Sequence, residues 1–582
     1  MLKAPVLQMV DTVQTALSSR NQVRRRNNGR RMSPFTAFNV ALLAIFILGL
    51  LYPVGKAIVW AFYDGNTWDL SAFSEFVSND KAMQSVPVTL FVVFCASVVS
   101  ATMGFIFAYL NERTDARMGM FTDMIPFIPL LMPSIAGAYG WVLALSPRIG
   151  YANQVWTAVF GIAGPFDAFS MKTLVFVYSI HGTTFAFLII SAALRNLDPA
   201  LEEQSRLCGA GRMRTLLRVV VPAMLPSIGA ALLLVIWTTM GNLAVPAAIA
   251  QPAGIPIMSV QIVRFLHFDY PPKYGPALVM SFIMVGIIGS VWIAAAQIRK
   301  SGRHGTVGGK TRVAPRRALG FWKWPARSFM VLWAATVVLV PLISLSFVAL
   351  NGFWAGNLRL DNFGFSHIMA LFEPGSLTFS AFTTSLKVAL IVATVGSLLA
   401  SVISVFVTSR KDKVTMFADG IFKLPTILPG LVLALGIVLA YAGPPLMLGG
   451  SFTILVIAFL LEQVPKGTLT TDPVAAQVGR ELTEASQMSG ASGFRTFRKV
   501  HFPLMLPGTV VAWALLFVHV VGDLDTSAIV ASVHNPTIGS QMLRLGENGD
   551  YPTVAALAIL VVVISTTAVT TVFALTRRRK WA

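Results

Sequence analysis

Twelve apolar runs, each long enough to cross a bilayer, constrain the fold of this chain more than any other feature. A membrane-spanning helix needs about 20 mostly apolar residues, whereas a membrane-spanning strand needs only about 10 and alternates in polarity. Charged residues make up 12% of the chain, against about 25% in soluble domains. We therefore predict an all-α polytopic membrane protein with about twelve transmembrane helices. The predicted spans are 36–62, 86–110, 121–146, 173–194, 223–248, 277–298, 326–350, 383–408, 418–442, 451–472, 504–528 and 552–576.

The distribution of basic residues predicts the orientation of the spans. With twelve spans, the three basic clusters lie on one side, which the positive-inside rule makes cytoplasmic. The chain is thus predicted to lie in the cell (inner) membrane with both termini in the cytoplasm. Because these clusters flank spans, the net charge of +20 is assigned to contact with anionic lipid and not with nucleic acid. The clusters are Arg20, Arg24, Arg25, Arg26, Arg30 and Arg31; Arg299, Lys300, Arg303, Lys310, Arg312, Arg316, Arg317, Lys323 and Arg327; and Arg577, Arg578, Arg579 and Lys580.

The chain contains an internal duplication of six spans, and both copies run in the same direction. The segment from Pro129 to Pro133 returns as Pro425 to Pro429, at an offset of 296 residues. Such a parallel repeat predicts pseudo-two-fold symmetry about the membrane normal, with the transport pathway between the halves. The predicted segments are a basic N-terminal segment 1–35, a first repeat 36–298, a cytoplasmic linker 299–325, a second repeat 326–576 and a basic tail 577–582.

A polar loop occurs once in each half, after the fourth and the tenth spans. In each copy a glutamate is followed six residues later by a glycine, and thirteen residues after that by a proline. The two sets are Glu203, Gly209 and Pro222 in the first half, and Glu484, Gly490 and Pro503 in the second. Both copies lie on the predicted cytoplasmic side, so the chain presents the same polar element twice to that compartment.

Local chemistry predicts a short helix followed by a tight turn in each copy. A glycine after two helical turns permits a sharp bend, and a proline is tolerated in the first turn of the next helix. The two glutamates are expected near a helix start, where carboxylates are favourable. Arg212 and Arg495 are expected to contribute a basic surface. One basic loop is explained by membrane orientation alone, but two copies in register favour a docking site.

This pattern resembles the EAA loop of ATP-binding-cassette importer permeases, which lies between two spans on the cytoplasmic side. Two copies in one chain resemble the fused permeases, in which one polypeptide replaces two subunits. The alanines of the family pattern are Gln204 and Ser205 in the first copy, and Ala485 and Ser486 in the second. The resemblance implies the fold of a type I importer permease with two six-helix repeats.

The same resemblance implies the partners of the chain. Each loop is expected to form a coupling helix that docks on an ATPase subunit, and a homodimer of that subunit would hold the ATP and Mg²⁺. A periplasmic or lipid-anchored solute-binding protein is expected on the outer side. The fused architecture and the stretch 539–557 are most similar to ferric-iron permeases. Ferric iron is therefore the leading substrate, and thiamine, polyamines, phosphonates and phosphorylated small molecules are the alternatives.

Ionisable residues inside the spans are candidates for the transport pathway. His181 and Glu462 occupy matching positions at an offset of 281 residues. Charged groups inside spans cost about 2.5–3.5 kcal/mol on insertion scales and usually face a bundle interior. A structural ion pair between Glu462 and Lys466, four residues apart, is the open alternative. Three residues near the outer ends of spans are candidates for the outer mouth, or are ordinary solvated span ends: Asn242, Asp523 and Asp525.

The sequence favours a transport subunit over an enzyme. It contains no His-Glu-x-x-His, no nucleophile elbow and no closely spaced Cys/His set, so no catalytic, metal or cofactor site is predicted. A major-facilitator secondary transporter is the alternative class, because it shares parallel six-span halves and a basic linker. That class requires a glycine- and arginine-rich loop after the second span, which Asn111 to Gly119 match poorly, and it does not explain the repeated loop.

Overall fold

The computed structural model describes residues 33–63, 68–301, 316–351, 354, 363–410 and 412–578. In these residues the secondary structure is helical, and β-structure is limited to three isolated bridges. Most of the basic N-terminal segment, the centre of the linker and the end of the tail lie outside the described residues. The all-α polytopic fold that the sequence predicts is confirmed.

Ten of the predicted spans are single helices that are long and apolar enough to cross a membrane. The other two, 121–146 and 418–442, are broken helices. In the first half, Thr122–Pro129 and Ser134–Leu145 are bent by 85°. In the second half, Lys413–Phe422 and Gly430–Tyr441 are separated by a short turn. The breaks coincide with the repeated Pro-x-x-x-Pro segments, because proline lacks the N–H that would continue the helix.

The principal helices of the two halves correspond one to one. In the first half they are α1 (Pro34–Phe62), α2 (Asp80–Arg113), α3 (Ser134–Leu145), α4 (Met171–Asn196), α5 (Pro199–Leu207), α6 (Val221–Met240), α7 (Ala244–Ile249), α8 (Met258–His267) and α9 (Tyr274–Ser301). In the second half they are α10 (Lys323–Leu350), α11 (Leu377–Ser409), α12 (Gly430–Tyr441), α13 (Phe452–Gln477), α14 (Arg480–Met488), α15 (Phe502–Val521), α16 (Ser527–Val530), α17 (Ile538–Glu547) and α18 (Tyr551–Arg578).

Polar residues at matching positions start the spanning helices. Asn79 caps α2 by accepting the N–H of Ala82, 3.0 Å away. Ser170 and Ser451 cap α4 and α13 in the same way. A side-chain oxygen at this position satisfies one of the backbone donors that a helix start leaves unpaired.

Helices α6 and α15 end earlier than the predicted spans 223–248 and 504–528. Their last residues are Met240 and Val521. The next residues, Gly241 and Gly522, are followed by Asn242 and Asp523, whose side chains bond to the backbone of the short helices α7 and α16. Such local side-chain bonds compete with helix continuation, so each span turns before it is complete.

The first helix of each half packs on the opposite half. In α1, the carbonyl of Gly49 accepts a hydrogen bond of 2.9 Å from the hydroxyl of Tyr441 in α12. In α10, Trp333 packs against Phe107 of α2 with ring centroids 4.8 Å apart and the rings tilted by 60°. The first helix of each half therefore lies against the opposite half.

Small and hydroxyl-bearing residues hold the closest helix pairs within each half. The hydroxyl of Ser100 in α2 donates to the carbonyls of Ala96 and of Ser179 in α4. In the second half, Ser404 of α11 and Thr471 of α13 are joined at 2.7 Å. In a membrane, small residues allow close approach of helices, and hydroxyl bonds add specificity to the contact. These helix pairs are the closely packed part of each half.

Candidate functional site

Each repeated loop forms a short helix that ends in a tight turn. Helix α5 closes at Gly209 and helix α14 at Gly490, and both glycines have φ of +77°. The N–H of the residue after each glycine bonds to the carbonyl of Ser205 or Ser486, at 3.1 Å in both copies. This is the Schellman arrangement, in which the left-handed position favours glycine. The turn that the sequence predicts at both glycines is present.

A serine–threonine hydrogen bond that was not among the sequence-based predictions closes each loop. Ser205 and Thr215 are 2.9 Å apart through their hydroxyl oxygens. Ser486 and Thr496 are 3.0 Å apart in the same way. The signal was available, because both serines replace an alanine of the EAA pattern and both threonines follow ten residues later. These serines fix the loop shape, which an alanine could not do.

The two glutamates of the repeated pattern lie in the middle of their helices, which corrects the expectation of a position near a helix start. Glu203 is the fifth residue of α5, and Glu484 is the fifth residue of α14. Both side chains are exposed, as are those of Arg212 and Arg495. The expectation was wrong because α5 begins four residues earlier, at a proline capped by Asp198. The carboxylates are thus free to meet a partner.

The two prolines follow a π-helical turn. Helical structure begins at Arg212 and Gly493, passes through the π-turns Leu216–Val220 and Phe497–His501, and then enters α6 and α15. Pro222 and Pro503 are the second residues of these helices. A π-turn admits a residue without an N–H at this point, since one regular i→i−4 bond is already interrupted. Each loop is therefore connected rigidly to the span that follows it.

An apolar side chain projects from the end of each loop helix. Leu207 is 88% exposed and Met488 is 89% exposed, and the two occupy matching positions at an offset of 281 residues. Leu201 and Leu482, near the start of the same two helices, are also exposed at matching positions. Single exposed apolar residues are common, but here the same exposure recurs at the same place in both copies.

At the centre of the protein, each half meets the other at a glycine and a proline. A β-carbon at Gly241 would lie 2.7 Å from Cβ of Pro429, and one at Gly522 would lie 2.7 Å from Cβ of Pro133. Separations below about 3 Å are too short for a real carbon contact, so both positions require glycine. The ends of α6 and α15 therefore close directly onto the broken helices of the opposite half.

The polar group beside this contact belongs to the second half. The Glu462 carboxylate is buried, and it accepts from the ammonium of Lys466 at 2.7 Å and from the hydroxyl of Thr526 at 2.5 Å. The ion pair with Lys466 that the sequence offered as an alternative is thus formed. Lys466 keeps 29% of its side chain exposed, so one end of this pair reaches solvent-accessible space.

Asp525 joins the two halves, and the other two candidates cap helices. The carboxylate of Asp525 accepts the backbone N–H of Leu243 in the first half at 2.9 Å. Asn242 accepts from Val245 at 3.1 Å. Asp523 accepts from the backbone N–H groups of Thr526 and Ser527 at the start of α16, both at 3.0 Å. The structure therefore brings Asp525 and Glu462 to one cluster, while Asn242 and Asp523 hold the turns that shape it.

His181 lies apart from this cluster, on the first-half side. Its Nδ1 is 3.5 Å from the carbonyl of Val177. Its Nε2 is buried and has no hydrogen-bond partner in the part of the chain that the structure describes. A β-carbon at Gly137 of α3 would lie 3.9 Å from the ring. The matching positions 181 and 462 thus have different surroundings.

Relatives of known kind match over much of the chain. A ferric transport system permease protein of Actinobacillus pleuropneumoniae is 20% identical over 540 residues, which cover 90% of this chain and 76% of the relative. A probable ABC transporter permease protein of Sinorhizobium fredii is 25% identical over 452 residues, 75% of this chain and 77% of the relative. A putrescine transport system permease protein of Escherichia coli is 23% identical and covers 44% of this chain.

Among solved structures, a bacterial ABC transporter that imports the acidic polysaccharide alginate matches with 16% identity and a TM-score of 0.37, over 44% of this chain and 99% of that chain. The family model described as "binding-protein-dependent transport system inner membrane component" matches twice, at residues 100–301 and 393–581. The two matches together take in more than half of the chain and fall one in each half. The chain therefore belongs to the family of inner membrane components of binding-protein-dependent transport systems, with two copies of the permease fold in one polypeptide.

Proposed function

We propose that this chain is the complete membrane pathway of an ATP-driven importer, and that its substrate is ferric iron. The observation that carries the proposal is the pair of loops with equal turn geometry and equal exposed apolar tips, in a member of a binding-protein-dependent transport family. The iron assignment rests on a relative named as a ferric transport permease that matches 90% of the chain. Thiamine, polyamines, phosphonates and phosphorylated small molecules are the other substrates to be tested.

The two loops are the docking sites for a homodimer of an ATPase subunit, one subunit on each loop. Leu207 and Met488 are the apolar anchors of this contact, since buried apolar anchors in pockets dominate the energy of protein interfaces. The exposed Glu203 and Glu484, with Arg212 and Arg495, surround them as a charged rim. ATP and Mg²⁺ are held by the partner, and this chain receives only movement.

The loop side is the cytoplasmic side, and the opposite side faces a solute-binding protein that delivers the substrate. When the ATPase dimer closes, it draws the two loops together. Because each loop continues through a π-turn into α6 or α15, the ends of these helices move with it. Those ends carry Gly241 and Gly522, whose contacts with Pro429 and Pro133 close the centre. Rocking of the halves would separate these contacts and open the pathway to the other side.

Glu462 and Asp525 line the pathway where it passes the central contact. Asp525 lies at the interface between halves and Glu462 lies beside it in the second half. Acidic oxygens suit a hard cation such as ferric iron in transit. Lys466 balances part of their charge, which favours transient contact over tight binding. Asn242 and Asp523 are proposed to support this passage through the turns that they hold beside it. His181 is proposed as a pathway residue of the first half, apart from the acidic cluster.

Docking is tested by affinity purification of the tagged chain from its native membrane, with quantification of the ATPase subunit. The wild-type chain is expected to bring about two ATPase subunits per permease. Leu207→Asp with Met488→Asp, and separately Glu203→Ala with Glu484→Ala, should reduce this ratio while membrane insertion is unchanged. Val533→Asp is the matched control, because Val533 is 73% exposed and lies outside both loops. An unchanged ratio in both double variants would refute the docking role.

The substrate is tested with the purified complex in lipid vesicles. The binding protein that co-purifies is analysed for bound ligand, and uptake of radioactive ferric iron is compared with uptake of putrescine, thiamine and a phosphonate. We expect ATP-dependent uptake of ferric iron alone. Uptake of an organic solute in place of iron would correct the substrate and leave the importer assignment intact, whereas uptake driven by an ion gradient without ATP would favour the secondary transporter.

A further inference from the structure

The first loop is held by a buried group of ions that the repeated sequence pattern does not include. Glu202, next to the exposed Glu203, is only 4% exposed. Its carboxylate lies 3.3 Å from Nε of Arg113, the last residue of α2, and also pairs with the guanidinium of Arg317. A carboxylate is rarely buried unless charged partners compensate its loss of hydration. Two guanidinium groups supply that compensation here.

Arg113 and Arg317 belong to different parts of the protein. Arg113 also donates to the carbonyls of Leu194 and Leu197, both at 2.9 Å, and so closes the end of α4. Arg317 lies in the segment that leads from the linker into α10. Its backbone N–H donates to the carbonyl of Arg113 at 3.0 Å, and its carbonyl accepts from Asp115 at 2.9 Å. One carboxylate thus joins α2, the first loop helix α5 and the approach to the second half.

The segment that leads into α10, and the start of α10 itself, make further hydrogen bonds to the turn after α2. The N–H of Leu319 donates to the carboxylate of Asp115 at 2.9 Å. The guanidinium of Arg327 donates to the carbonyl of Ala116 at 3.1 Å. The turn after α2 and the start of α10 therefore form one polar assembly, and Glu202 is its contact with the first loop.

The second loop is held by different chemistry at the matching place. The position equivalent to Glu202 is Thr483, whose hydroxyl lies 3.1 Å from Nε2 of His501 within the same loop. The segment that reaches this loop from the other half is the start of α1. There Phe35 packs on Phe494 and Phe497 with ring centroids 5.2 and 5.8 Å apart. The first loop is thus held by ion pairs with Arg113 and with Arg317 of the segment that leads into α10. The second loop is held by aromatic contacts with α1.

We propose that Glu202 is the positioning residue of the first coupling loop. Through Arg113 and Arg317 it binds that loop to the approach of α10, so that movement of the first loop is transmitted to the second half. Phe35 does the same for the second loop through α1. This inference rests on the proposed coupling function, but the clamp itself can be tested without any ATPase.

The test uses Cys208, which is exposed at the end of α5. A nitroxide label on Cys208, in a chain with Cys95→Ala, reports the mobility of the first loop in detergent or lipid. Ser489→Cys occupies the matching position of the second loop and, with Cys208→Ser and Cys95→Ala, reports that loop. Both labelled chains are prepared with no further change, with Glu202→Gln, with Arg317→Gln, and with Phe35→Ala.

We expect each set of substitutions to mobilise the label on its own loop only. Glu202→Gln and Arg317→Gln should mobilise the label at 208 and leave the label at 489 unchanged, whereas Phe35→Ala should do the reverse. Equal mobilisation of both labels by Glu202→Gln would mean general loosening of the fold and would overturn the proposal. Unchanged mobility at 208 in both Glu202→Gln and Arg317→Gln would overturn it as well. Arg317→Gln guards against a folding failure of the Glu202 variant, because Arg317 is less buried than Glu202.

A second readout applies to the assembled importer. Glu202→Gln should retain co-purification of the ATPase and lower the transport achieved per ATP hydrolysed by roughly threefold or more, within the range of coupling changes seen for such networks. Transport and ATP hydrolysis that fall in proportion would indicate a structural loss only and would count against a positioning role. If wild-type chain brings no ATPase, the proposed function fails while the label experiment still decides the clamp.

Discussion

At position 181 the first half carries a histidine beside a carbonyl, whereas at the matching position 462 the second half carries a carboxylate bonded to a lysine and a threonine. The next positions continue the contrast. Phe185 of the first half matches Lys466, and Ala244 matches Asp525. The polar group at the centre is therefore supplied by one half, and the other half offers mostly apolar side chains and backbone N–H groups to it.

The features that the two halves share are features of the backbone and not of the polar side chains. Both have a helix broken at a Pro-x-x-x-Pro segment, a loop turn at a glycine with φ of +77°, and a glycine that meets a proline of the opposite half. These are properties of the backbone path. The backbone frame is thus duplicated and symmetric, while the charged side chains at the centre are concentrated in the second half.

The largest expected difference between the halves follows from replacing the polar residues at matching positions 181 and 462 by leucine. Glu462→Leu leaves Lys466 without its partner and should lower the free energy of unfolding by about 3 kcal/mol, at the low end for a broken buried pair because Lys466 is partly exposed. His181→Leu should change it by less than about 1.5 kcal/mol, as a volume-conserving change does. Thermal denaturation of both variants in the same detergent measures the difference.

The double variant Glu462→Leu with Lys466→Leu separates structure from transport. Apolar replacement of a whole ion pair is often neutral, so stability should return. If Glu462 lines the pathway, ATP-driven uptake stays impaired in this stable protein. Recovery of full uptake would show that the pair only supports the fold. Equal losses from Glu462→Leu and His181→Leu would remove the asymmetry on which the comparison rests.

The symmetric frame predicts equal effects at the two central glycines. In Gly241→Ala and Gly522→Ala the new β-carbon would overlap Cβ of Pro429 or Pro133. Each variant should destabilise the closed centre by about 1–3 kcal/mol, the usual cost of overpacking. Solute leakage through reconstituted vesicles and thermal denaturation check this. Leakage from one variant alone would mean that only one of the two contacts closes the centre.

The sequence predicted the frame better than the site. Twelve apolar runs and two loops in register were enough for ten of the twelve spans, the duplication and the glycine turns. The broken helices were not predicted, although Pro129, Pro133, Pro425 and Pro429 were recognised as a repeat. A proline is tolerated in a membrane helix when neighbours bond to the freed groups, so its presence does not decide between a bend and a break.

Two further features could not be predicted from local sequence. The meeting of Gly241 with Pro429, and of Glu202 with Arg317, depends on how the halves pack, and pairs more than 100 residues apart leave no local signal. The ion pair of Glu462 with Lys466 was recognised because its members are one turn apart. Thr526, the third member, lies 64 residues away, and only the structure brings it there.

A smaller effect is expected from the bonds that close the loops. Ser205→Ala and Ser486→Ala each remove one hydroxyl partner of Thr215 or Thr496. Loss of such a hydrogen bond costs about 1 kcal/mol, and the two costs should be similar because the two loops have the same geometry. Amide hydrogen exchange in α5 and α14 measures this. Faster exchange in only one variant would place the loops among the features that differ between halves.

The smallest expected effect compares the last residues of the matching helices α8 and α17. His267 and Glu547 each bond across the halves, to the carbonyl of Ala528 at 2.7 Å and to the amide of Gln251 at 2.9 Å. Desolvation by the surrounding protein lowers the pKa of His267, although its carbonyl bond opposes this shift. Desolvation also raises the pKa of Glu547, against the opposing bond from Gln251. Both shifts favour the neutral form of the side chain. The shift of His267 makes stability rise with pH, whereas the shift of Glu547 makes stability fall with pH.

On acidification the two residues should therefore have opposite effects. The contribution of neutral His267 to the free energy of unfolding is complete above about pH 6.5. It is lost as the pH falls below that value, because the histidine of the unfolded chain takes up a proton first. The contribution of Glu547 is lost as the pH rises above about 4.5, so acidification restores it. Both residues contact solvent, so each effect should be only a few tenths of a kcal/mol. Between pH 7.5 and 5.5, His267→Gln should lose less thermal stability than the wild-type chain. Between pH 7.5 and 4.5, Glu547→Gln should lose more than the wild-type chain. If both variants lose more thermal stability than the wild-type chain on acidification, or if both lose less, then the two separate contacts of His267 and Glu547 do not set the pH response of stability.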